Sequence, residues 1–241
     1  MYVLPLAGGE ARRLTDLPGG VHEIAWAPDG ATIAVTARTG GREEKDATKP
    51  RVVTTLKYKF NGQGFFDGGR RHIFAVALEG APPRQLTDGD WDDGQVAWSP
   101  DGRELAFVSA RHENRDRDAA QDLWVVQATG GEPHRLTEVF GPCNAPAYSP
   151  DGRTIAFAGH TEVLDMGGRP NTIWLIPAAG GAARCLTAAL DRGIQAGPLA
   201  PGAPPAPIAW SPDGASIVAR VQDGASVHLY RFAAADGTST V

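Results

Sequence analysis

The sequence contains only two cysteines, Cys143 and Cys185, and neither has neighbours at a metal-ligand spacing. Two cysteines are too few for a disulfide framework, so we interpret both as buried or idle thiols. No apolar run approaches the roughly 20 residues of a membrane span. The N-terminus also lacks the basic start and long apolar stretch of a signal peptide. These absences predict a chain that binds no cofactor, does not contact a membrane and works in the cytoplasm.

An excess of basic residues is also missing. Lysine and arginine number 23 against 28 acidic residues, a formal net charge of -5. Because phosphate binding needs a basic surface, we expect no nucleic-acid partner. Glycine (30) and proline (19) are plentiful, which favours a turn-rich globular fold. Helical periodicity is hard to find over any long stretch.

The strongest positive feature is internal repetition. An aromatic residue followed by Ser/Ala-Pro-Asp-Gly occurs four times, at Trp26, Trp98, Tyr148 and Trp210. Between these phrases, a Leu-Thr pair ends at Thr15, Thr87, Thr137 and Thr187, a few residues after a Gly-Gly or Glu-Gly pair. After loop insertions are set aside, the period approaches the ~40–50 residues of a β-propeller blade.

Each phrase has the chemistry of one turn or strand. In Ser-Pro-Asp-Gly, proline fixes φ, aspartate bonds the local backbone and glycine accepts positive φ, so the phrase predicts a tight turn. Alternating segments such as 104–108 and 123–126 predict the strands around it. Each repeat therefore predicts a blade of four antiparallel strands, called A to D from the inside out. We interpret the repeated aromatic residue as packing between neighbouring blades.

The predicted fold is all-β, an incomplete β-propeller ring of about three full blades and two partial ones. The predicted blades span about 1–15, 21–87, 94–137, 144–187 and 206–241. The first would supply only strands C and D, and the last only A, B and C. The chain thus looks like a piece of a longer protein. We expect its open strand edges to be covered by the remaining blades of the same parent or by a second copy of the chain.

Longer segments add a family resemblance. They lie at 57–72, 87–93, 109–115 and 190–192, the first reading Lys-Tyr-Lys-Phe-Asn-Gly-Gln-Gly-Phe-Phe-Asp-Gly-Gly-Arg-Arg-His. With the repeats, they resemble the propeller domain of the prolyl oligopeptidase family of serine peptidases, in particular its acylaminoacyl-peptidase branch. The Pro-Asp-Gly repeats alone are shared with TolB-like propellers. The resemblance implies a propeller that caps an α/β-hydrolase domain with a Ser-Asp-His triad and restricts entry to short peptides.

The catalytic half of that family has no counterpart in this sequence. The Gly-x-Ser-x-Gly pentapeptide of a nucleophile elbow does not occur, and strand–helix alternation is absent. We therefore expect no catalytic residue here. We expect the chain to gate and screen short peptides for a hydrolase domain outside it. The alternative is a stand-alone TolB-like propeller that binds protein partners.

Strand direction indicates where binding would occur. Strands A and C run one way and B and D the other, so the tight turns share one face and the B–C and D–A connections share the opposite face. The long insertions all fall on the second face, at 38–72, 88–93, 111–121, 138–143, 160–171 and 188–205. Long loops on a rigid scaffold often carry binding sites. Arg111, Arg115 and Arg192 lie there and are candidates for pairing with a peptide carboxylate, with ordinary loop-pinning arginines as the alternative.

Three other groups were weighed as sites. The acidic stretch 90–93 lacks the glycine and distal glutamate of an EF-hand loop, which favours a polar connection. His112-Glu113 lacks the second histidine of a zinc-binding His-Glu-x-x-His motif. Glu43 and Glu44 are adjacent, and a glutamate pair in exopeptidases of the resembled family can hold a substrate amino terminus, but a solvated loop is favoured. We assign no metal ligand.

Overall fold

The computed structural model describes residues 1–41, 52–60, 64–138, 140–165, 168–194 and 207–241. Within these ranges the chain forms short antiparallel β-strands and one 3₁₀ turn, Glu113–Asp116. The predicted all-β class is therefore confirmed. The strands group into five consecutive blades, I to V, and one small hairpin inserted in blade II.

The first three blades follow the predicted order. Blade I contains β1 (Tyr2–Val3) and β2 (Arg12–Arg13). Blade II contains β3 (Glu23–Trp26) and β4 (Thr32–Thr39), then the inserted hairpin β5 (Lys59–Phe60) and β6 (Gly64–Phe65), then β7 (Arg70–Ala77) and β8 (Arg84–Gln85). Blade III contains β9 (Asp93–Trp98), β10 (Glu104–Ser109), β11 (Asp122–Gln127) and β12 (His134–Arg135).

The last two blades differ from each other in their inner strands. Blade IV contains β13 (Cys143–Tyr148), β14 (Thr154–Gly159), β15 (Thr172–Pro177) and β16 (Arg184–Cys185). Blade V has an inner strand in two pieces, β17 (Gly193–Ile194) and β18 (Ala209–Trp210), followed by β19 (Ser216–Asp223), β20 (Ser226–Ala233) and β21 (Ser239–Thr240).

Blade V corrects the predicted strand count. The outermost strand is not missing, because Ser239 and Thr240 pair with Phe232 and Arg231 of β20. The blade also begins before residue 206, because Ile194 pairs with Val221 of β19. Both errors concern two-residue strands, which are too short to show an alternating pattern. The ring is nevertheless not closed in the described part of the chain, in agreement with the predicted incomplete propeller.

Side-chain bonds close the tight turns. In blade III, the Ser99 hydroxyl donates to Asp101 Oδ1 (2.7 Å), which also accepts from the N–H of Arg103 (3.0 Å). Ser99 Oγ in turn accepts from the N–H of Glu104 (3.0 Å), and Gly102 adopts φ 70°. The Ser99 hydroxyl, followed by the Arg103 N–H, holds the pKa of Asp101 below its ordinary value. The predicted turn chemistry is therefore confirmed.

The Leu-Thr phrase ties strand D to strand C. The hydroxyl oxygens of Thr87, Thr137 and Thr187 accept from the backbone N–H groups of Ile73, Leu123 and Ile173, at 3.0, 3.0 and 2.9 Å. The leucine of each phrase packs in the core between its own blade and the next. One repeated dipeptide thus fixes both the edge of a blade and the contact between blades.

The core lies between blades rather than within one sheet. Between blades II and III, Ile73, Ala75 and Leu86 pack against Leu105 and Phe107. Equivalent buried clusters join blades III to IV and IV to V, and a smaller one joins blade I to blade II. Each blade needs its neighbour, because a single twisted sheet cannot bury both of its faces alone.

Three of the four repeated aromatic residues pack between blades as interpreted. Trp98, Tyr148 and Trp210 contact these clusters and are half-buried. Trp26 is 51% exposed, because blade I presents no inner strand to it. The cysteine interpretation is confirmed for Cys143, since burial raises the pKa of its thiol. Cys185 is half-buried and unpaired.

Candidate functional site

The long connections meet on one face of the propeller, here called the loop face. Antiparallel pairing of β4 with β7 and of β10 with β11 places both B–C connections there. The D–A connection between β8 and β9 ends on the same face. Charged side chains from these three connections come together between blades II and III. We call Arg70, Asp90, Asp92, Asp93, Arg111 and Arg115 the rim cluster.

The innermost contact of the rim cluster is a fork between Arg111 and Asp93. Arg111 Nη2 donates to both carboxylate oxygens (2.9 and 3.0 Å), and Nε donates to Oδ1 (3.2 Å). The Asp93 side chain is fully buried and that of Arg111 is 10% exposed. His72 Nδ1 lies 3.3 Å from the same carboxylate, and the guanidinium lies 5.3 Å from the Trp124 ring. A bidentate pair of this kind fixes the orientation of both side chains.

The outer contact is a bridge through Asp90. Arg70 Nε donates to one oxygen of Asp90 (2.9 Å) and Arg115 Nη2 donates to the other (2.6 Å). Each guanidinium also lies over an aromatic ring, Arg70 over Phe66 at 4.4 Å and Arg115 over Trp91 at 4.9 Å. Partial burial acts to raise the pKa of Asp90, but the hydrogen bonds and charges of the two arginines outweigh it, so the pKa lies below its ordinary value.

The rim cluster has more cationic than anionic groups when its neighbour Arg71 is included. Four guanidinium groups (Arg70, Arg71, Arg111 and Arg115) pair with three carboxylates (Asp90, Asp92 and Asp93). The carboxylates of Asp90 and Asp92 are the more exposed groups (65% and 41%), and the most exposed guanidinium groups are those of Arg71 (39%) and Arg115 (29%). Of these exposed groups, only the two guanidinium groups have the geometry to bind a carboxylate ligand.

The insertion of blade II is fastened to blade III. The Asp116 carboxylate accepts from the backbone N–H groups of Leu56 (2.6 Å) and Lys57 (2.8 Å). The Lys57 ammonium donates to the carbonyl oxygens of Arg115 and Asp118. Burial lowers the pKa of Lys57, while the charges of Asp118 and Asp116 oppose the shift. These contacts hold the insertion against the 3₁₀ turn beside the rim cluster.

A second set of polar contacts links the inner strands of blades II, III and IV. Glu23 Oε2 accepts from the N–H of Gln95 (2.6 Å), and Gln95 Oε1 accepts from the N–H of Ala145 (2.6 Å). Gln95 Nε2 also donates to Asn144 Oδ1 (3.1 Å). Gln95 and Ala145 adopt φ values of 55° and 50°, which turns their N–H groups toward the preceding blade. Sequence reasoning missed this chain of contacts, because nothing local marks a bulge.

The predicted site arginines fall into two groups. Arg111 and Arg115 come together in the rim cluster, as neighbours in one connection. Arg192 lies beside β17 in blade V, where it pairs with Asp191 and with Asp223 (2.8 Å). Every one of the three guanidinium groups therefore already binds an internal carboxylate. Their role in peptide binding stays a prediction.

The other weighed groups have internal partners or lie outside the described residues. The aspartates of 90–93 bind arginines, and His112 Nε2 lies 2.9 Å from Asp118. Glu43 and Glu44 lie outside the described residues. Across the described ranges, no group of three or more histidine, cysteine or acidic side chains could hold a metal ion. Among the same residues, no helix has the length and hydropathy to cross a bilayer.

A cleft of about 610 Å³ opens on the opposite face, between the tight turns of blades IV and V. Its lining includes Asp151, Arg184, Trp210 and Asp213. Both aspartates are used by their own turns, since each accepts from a serine hydroxyl (2.6 and 2.5 Å). Arg184 donates to the carbonyl of Ala234 (2.6 Å). The polar groups of this cleft are therefore committed to the fold.

The architecture defines the class of protein as a β-propeller, and comparison with known proteins defines its family. Residues 5–175 match the family described as acylaminoacyl-peptidase, N-terminal beta-propeller domain. Since the match covers more than half of the chain, the chain belongs to that family. The resemblance stated from the sequence is confirmed.

Relatives agree with this assignment. The chain is 34% identical over 134 residues to "Uncharacterized peptidase YuxL" of Bacillus subtilis (strain 168), which covers 52% of this chain and 20% of that protein. An acylaminoacyl peptidase structure from Pyrococcus horikoshii superimposes with a TM-score of 0.68 at 18% identity, over 99% of this chain and 34% of that one. A putative TolB from Agrobacterium tumefaciens gives 0.60 at 20%, over 99% and 72%. The chain thus spans a fifth to a third of the two peptidases, and likeness at these identities to the solved structures concerns the fold.

Proposed function

We propose that this chain is the propeller part of an acylaminoacyl-type serine peptidase, which gates and screens short peptides for a hydrolase domain outside the chain. The observation that carries the proposal is the family match over residues 5–175. The chain would supply no nucleophile. It would act on the reaction only through which substrates reach the hydrolase domain.

The loop face supports a screening role through its rigidity. The two long B–C connections of blades II and III are braced against each other by Lys57 and Asp116, and the rim cluster joins them to the D–A connection. A braced rim presents fixed charges and a fixed opening, so a substrate must fit it. A folded protein would be excluded by size, while an extended short peptide could pass.

The partly exposed guanidinium group of Arg115 supports recognition of a peptide end. Two arginines bind Asp90, and Arg115 is the more exposed of them (29%, against 19% for Arg70). The Asp90 carboxylate is itself 65% exposed. A peptide carboxylate could share the Arg115 guanidinium, since the fork has donors beyond the one used by Asp90. Arg111 would position the rim, because its Nε and Nη2 groups donate to the buried Asp93 carboxylate. Arg192 would act separately, from blade V.

The test pairs this chain with the hydrolase domain of its parent peptidase. Hydrolysis of acetylated dipeptide anilides and of denatured casein is measured for the hydrolase domain with and without the propeller. We expect the propeller to suppress casein cleavage strongly while keeping cleavage of the short substrates. The same ratio of casein cleavage to dipeptide anilide cleavage with and without the propeller would contradict screening.

A second arm separates end recognition from size exclusion. Short acyl-peptides with a free carboxylate are compared with their amides, for wild type and for Arg115→Gln. We expect KM for the free acid to rise about tenfold in the variant, the loss of one charge-assisted contact, with little change for the amide. Arg103→Gln, which removes an exposed arginine from a tight turn, is the matched control. An equal effect on acid and amide would remove Arg115 from the proposal.

A further inference from the structure

The sequence contains nine Asp-Gly pairs, all within the described residues, and they differ in how the fold holds them. In such a pair the glycine amide nitrogen can attack the side-chain carbonyl of the aspartate, because glycine has no Cβ to hinder the approach. The reaction rearranges the backbone, so each pair is a candidate modification site. Hydrogen bonds to either reacting group oppose it, since they must break before the two atoms meet.

Four of the pairs lie in the tight turns, where the fold engages both reacting groups. In blade III the Asp101 carboxylate accepts from Ser99 and Arg103, while the N–H of Gly102 donates to the Ser99 carbonyl (2.9 Å). The turns of blades II, IV and V engage the carboxylate and the glycine N–H in the same way. The Ser99 and Arg103 donors also hold the pKa of Asp101 below its ordinary value, and an ionised carboxylate is a poor electrophile.

Four further pairs are held at least at the carboxylate. Three of these carboxylates bind arginines and the fourth accepts from a backbone N–H. The contacts are Asp67 with Arg38, Asp93 with Arg111, Asp223 with Arg192, and Asp236 with Thr238. Each of these eight pairs must therefore lose at least one hydrogen bond before it reacts.

The remaining pair, Asp88-Gly89, has neither protection. Both residues are exposed, in the connection between β8 and β9. Among the residues that the structure describes, the Asp88 carboxylate has no hydrogen bond or ion pair, and the Gly89 N–H has no acceptor. The electrophile and the nucleophile of this pair are therefore both free to react.

This pair also lies between two fixed points of the chain. Thr87 is buried, and its hydroxyl accepts from the N–H of Ile73 (3.0 Å). Asp90 bridges Arg70 and Arg115 in the rim cluster. A longer backbone between residues 87 and 90 must therefore displace one of these two anchors, and the exposed Asp90 bridge is the weaker one.

We propose that Asp88 is a site of spontaneous isoaspartate formation and that this modification loosens the rim cluster. The Gly89 nitrogen attacks Cγ of the protonated Asp88 carboxyl group, a C–N bond forms, and the carboxyl hydroxyl leaves as water with the amide proton. A second water then hydrolyses the imide at the α-carbonyl, so the main chain runs through the Asp88 side chain and is one carbon longer. The reaction needs no oxidant, metal or enzyme, and it does not depend on the proposed peptidase role.

The test follows isoaspartate in the purified chain. The protein is incubated at pH 6 for several weeks, digested, and mapped by mass spectrometry with electron-transfer fragmentation, which distinguishes isoaspartate from aspartate. We expect isoaspartate at Asp88 to accumulate at least about tenfold faster than at Asp101, Asp151 or Asp213, because no hydrogen bond must break first. Accumulation at Asp88 that is no faster than in these turns would overturn the proposal.

The same incubation in urea separates the fold from the local sequence. Once the turns are unfolded, we expect the four pairs to react at similar rates. A preference for Asp88 that persists unchanged in urea would assign the reactivity to its sequence neighbours and overturn the structural argument.

A variant tests the consequence for the rim cluster. Asp88→Glu keeps the charge but requires a six-membered imide, which forms much more slowly. We expect aged wild type to exchange the amide hydrogens of residues 88–93 about tenfold faster than fresh protein, while aged Asp88→Glu stays unchanged. Unchanged exchange in a sample that carries isoaspartate at position 88 would overturn the loosening of the rim cluster.

Discussion

At the scale of single residues, the aspartate of each tight turn is an acid-sensitive group. Asp101 accepts from Ser99 and from the Arg103 N–H, and these donors hold its pKa below the ordinary 3.8. The ionised form is therefore favoured in the folded state. Its stabilising contribution is fully present above the unfolded-state pKa and is lost as the pH falls from there through the folded-state pKa. Asp151 and Asp213 are held in the same way by Ser149 and Ser211.

A variant can test this dependence at one turn. We expect Asp101→Ala to lower the free energy of unfolding at pH 7 and to lower it less at pH 3, because pH 3 lies below the unfolded-state pKa and part of the contribution is already lost there in the wild type. Urea unfolding of both proteins at the two pH values measures the difference. The same loss of stability at both values would show that the turn does not depend on the charge.

Arg111 gives a second test at this scale. Its partner Asp93 is fully buried, so Arg111→Ala leaves a buried carboxylate whose remaining ion-pair partner among the described residues is His72. We expect a loss of about 3 kcal/mol in the free energy of unfolding, the usual cost of breaking a buried ion pair from one side. Thermal or urea unfolding measures it, with Arg103→Ala as the exposed comparison. A change below about 0.5 kcal/mol, as for surface substitutions, would mean that Arg111 is free for a ligand.

The residue scale also shows why the site was only partly predictable. The sequence indicates Arg111 and Arg115 as candidates because they lie in a long connection on a rigid scaffold and carry groups that can bind a carboxylate. Their partners were not foreseen, since Asp93 and Asp90 lie 18 and 25 residues away along the chain. A run of acids followed by a run of arginines indicates ion pairs in general, but it does not specify which groups pair. Pairing depends on how two connections meet, and that requires the fold.

At the scale of elements, a hydrogen bond from the repeated aromatic side chain to the preceding blade links the inner strands, and it is missing at Tyr148. The indole N–H of Trp98 donates to the carbonyl of Ala25, and that of Trp210 donates to Ala147, both at 3.0 Å. Tyr148 holds the equivalent place between blades III and IV. Its hydroxyl is buried and has no hydrogen-bond partner in the part of the chain that the structure describes. Burial raises the pKa of Tyr148 accordingly.

Removing that hydroxyl should therefore not lower the free energy of unfolding. We expect Tyr148→Phe to leave the free energy of unfolding unchanged or to raise it by up to about 1 kcal/mol, because an unpaired buried hydroxyl is removed. Trp210→Phe should destabilise by about 1 kcal/mol or more, since it leaves the Ala147 carbonyl without its donor. Chemical denaturation of the two variants compares them directly. A larger loss for Tyr148→Phe than for Trp210→Phe would contradict the assigned contacts.

Elements differed in how well the sequence predicted them. The hairpins around Pro-Asp-Gly were predicted to within a few residues, because turn chemistry and alternation agree there. The split inner strand Gly193–Ile194 and Ala209–Trp210 was not foreseen, nor was Ser239–Thr240. Strands of two residues have no period, and only their pairing with β19 and β20 makes them strands.

At the scale of the whole molecule, stability should be greatest in the middle of the chain. Blades III and IV have a neighbour on each side, whereas blade I has two short strands. We expect amide hydrogen exchange to be slowest in β10, β11, β14 and β15. Residues 1–15 should exchange at least on the order of tenfold faster, since their opening needs little buried surface to be exposed. Mass spectrometry of exchanged peptides checks this order, and equal protection of residues 1–15 would contradict it.

The fastening of the blade II insertion onto blade III has a consequence for how such chains can be recombined. Lys57 and Asp116 belong to different repeats, yet the side chain of each binds backbone groups of the other repeat. A crossover between blades II and III would separate these side chains from the backbone groups they bind. The corresponding connections of blades III and IV are joined by a bond between backbone groups, from the N–H of Ala119 to the carbonyl of Val163 (2.7 Å), which does not depend on which side chains are present. Blades II and III should therefore be kept together when propellers are recombined, with the junction of a chimaera placed after blade III.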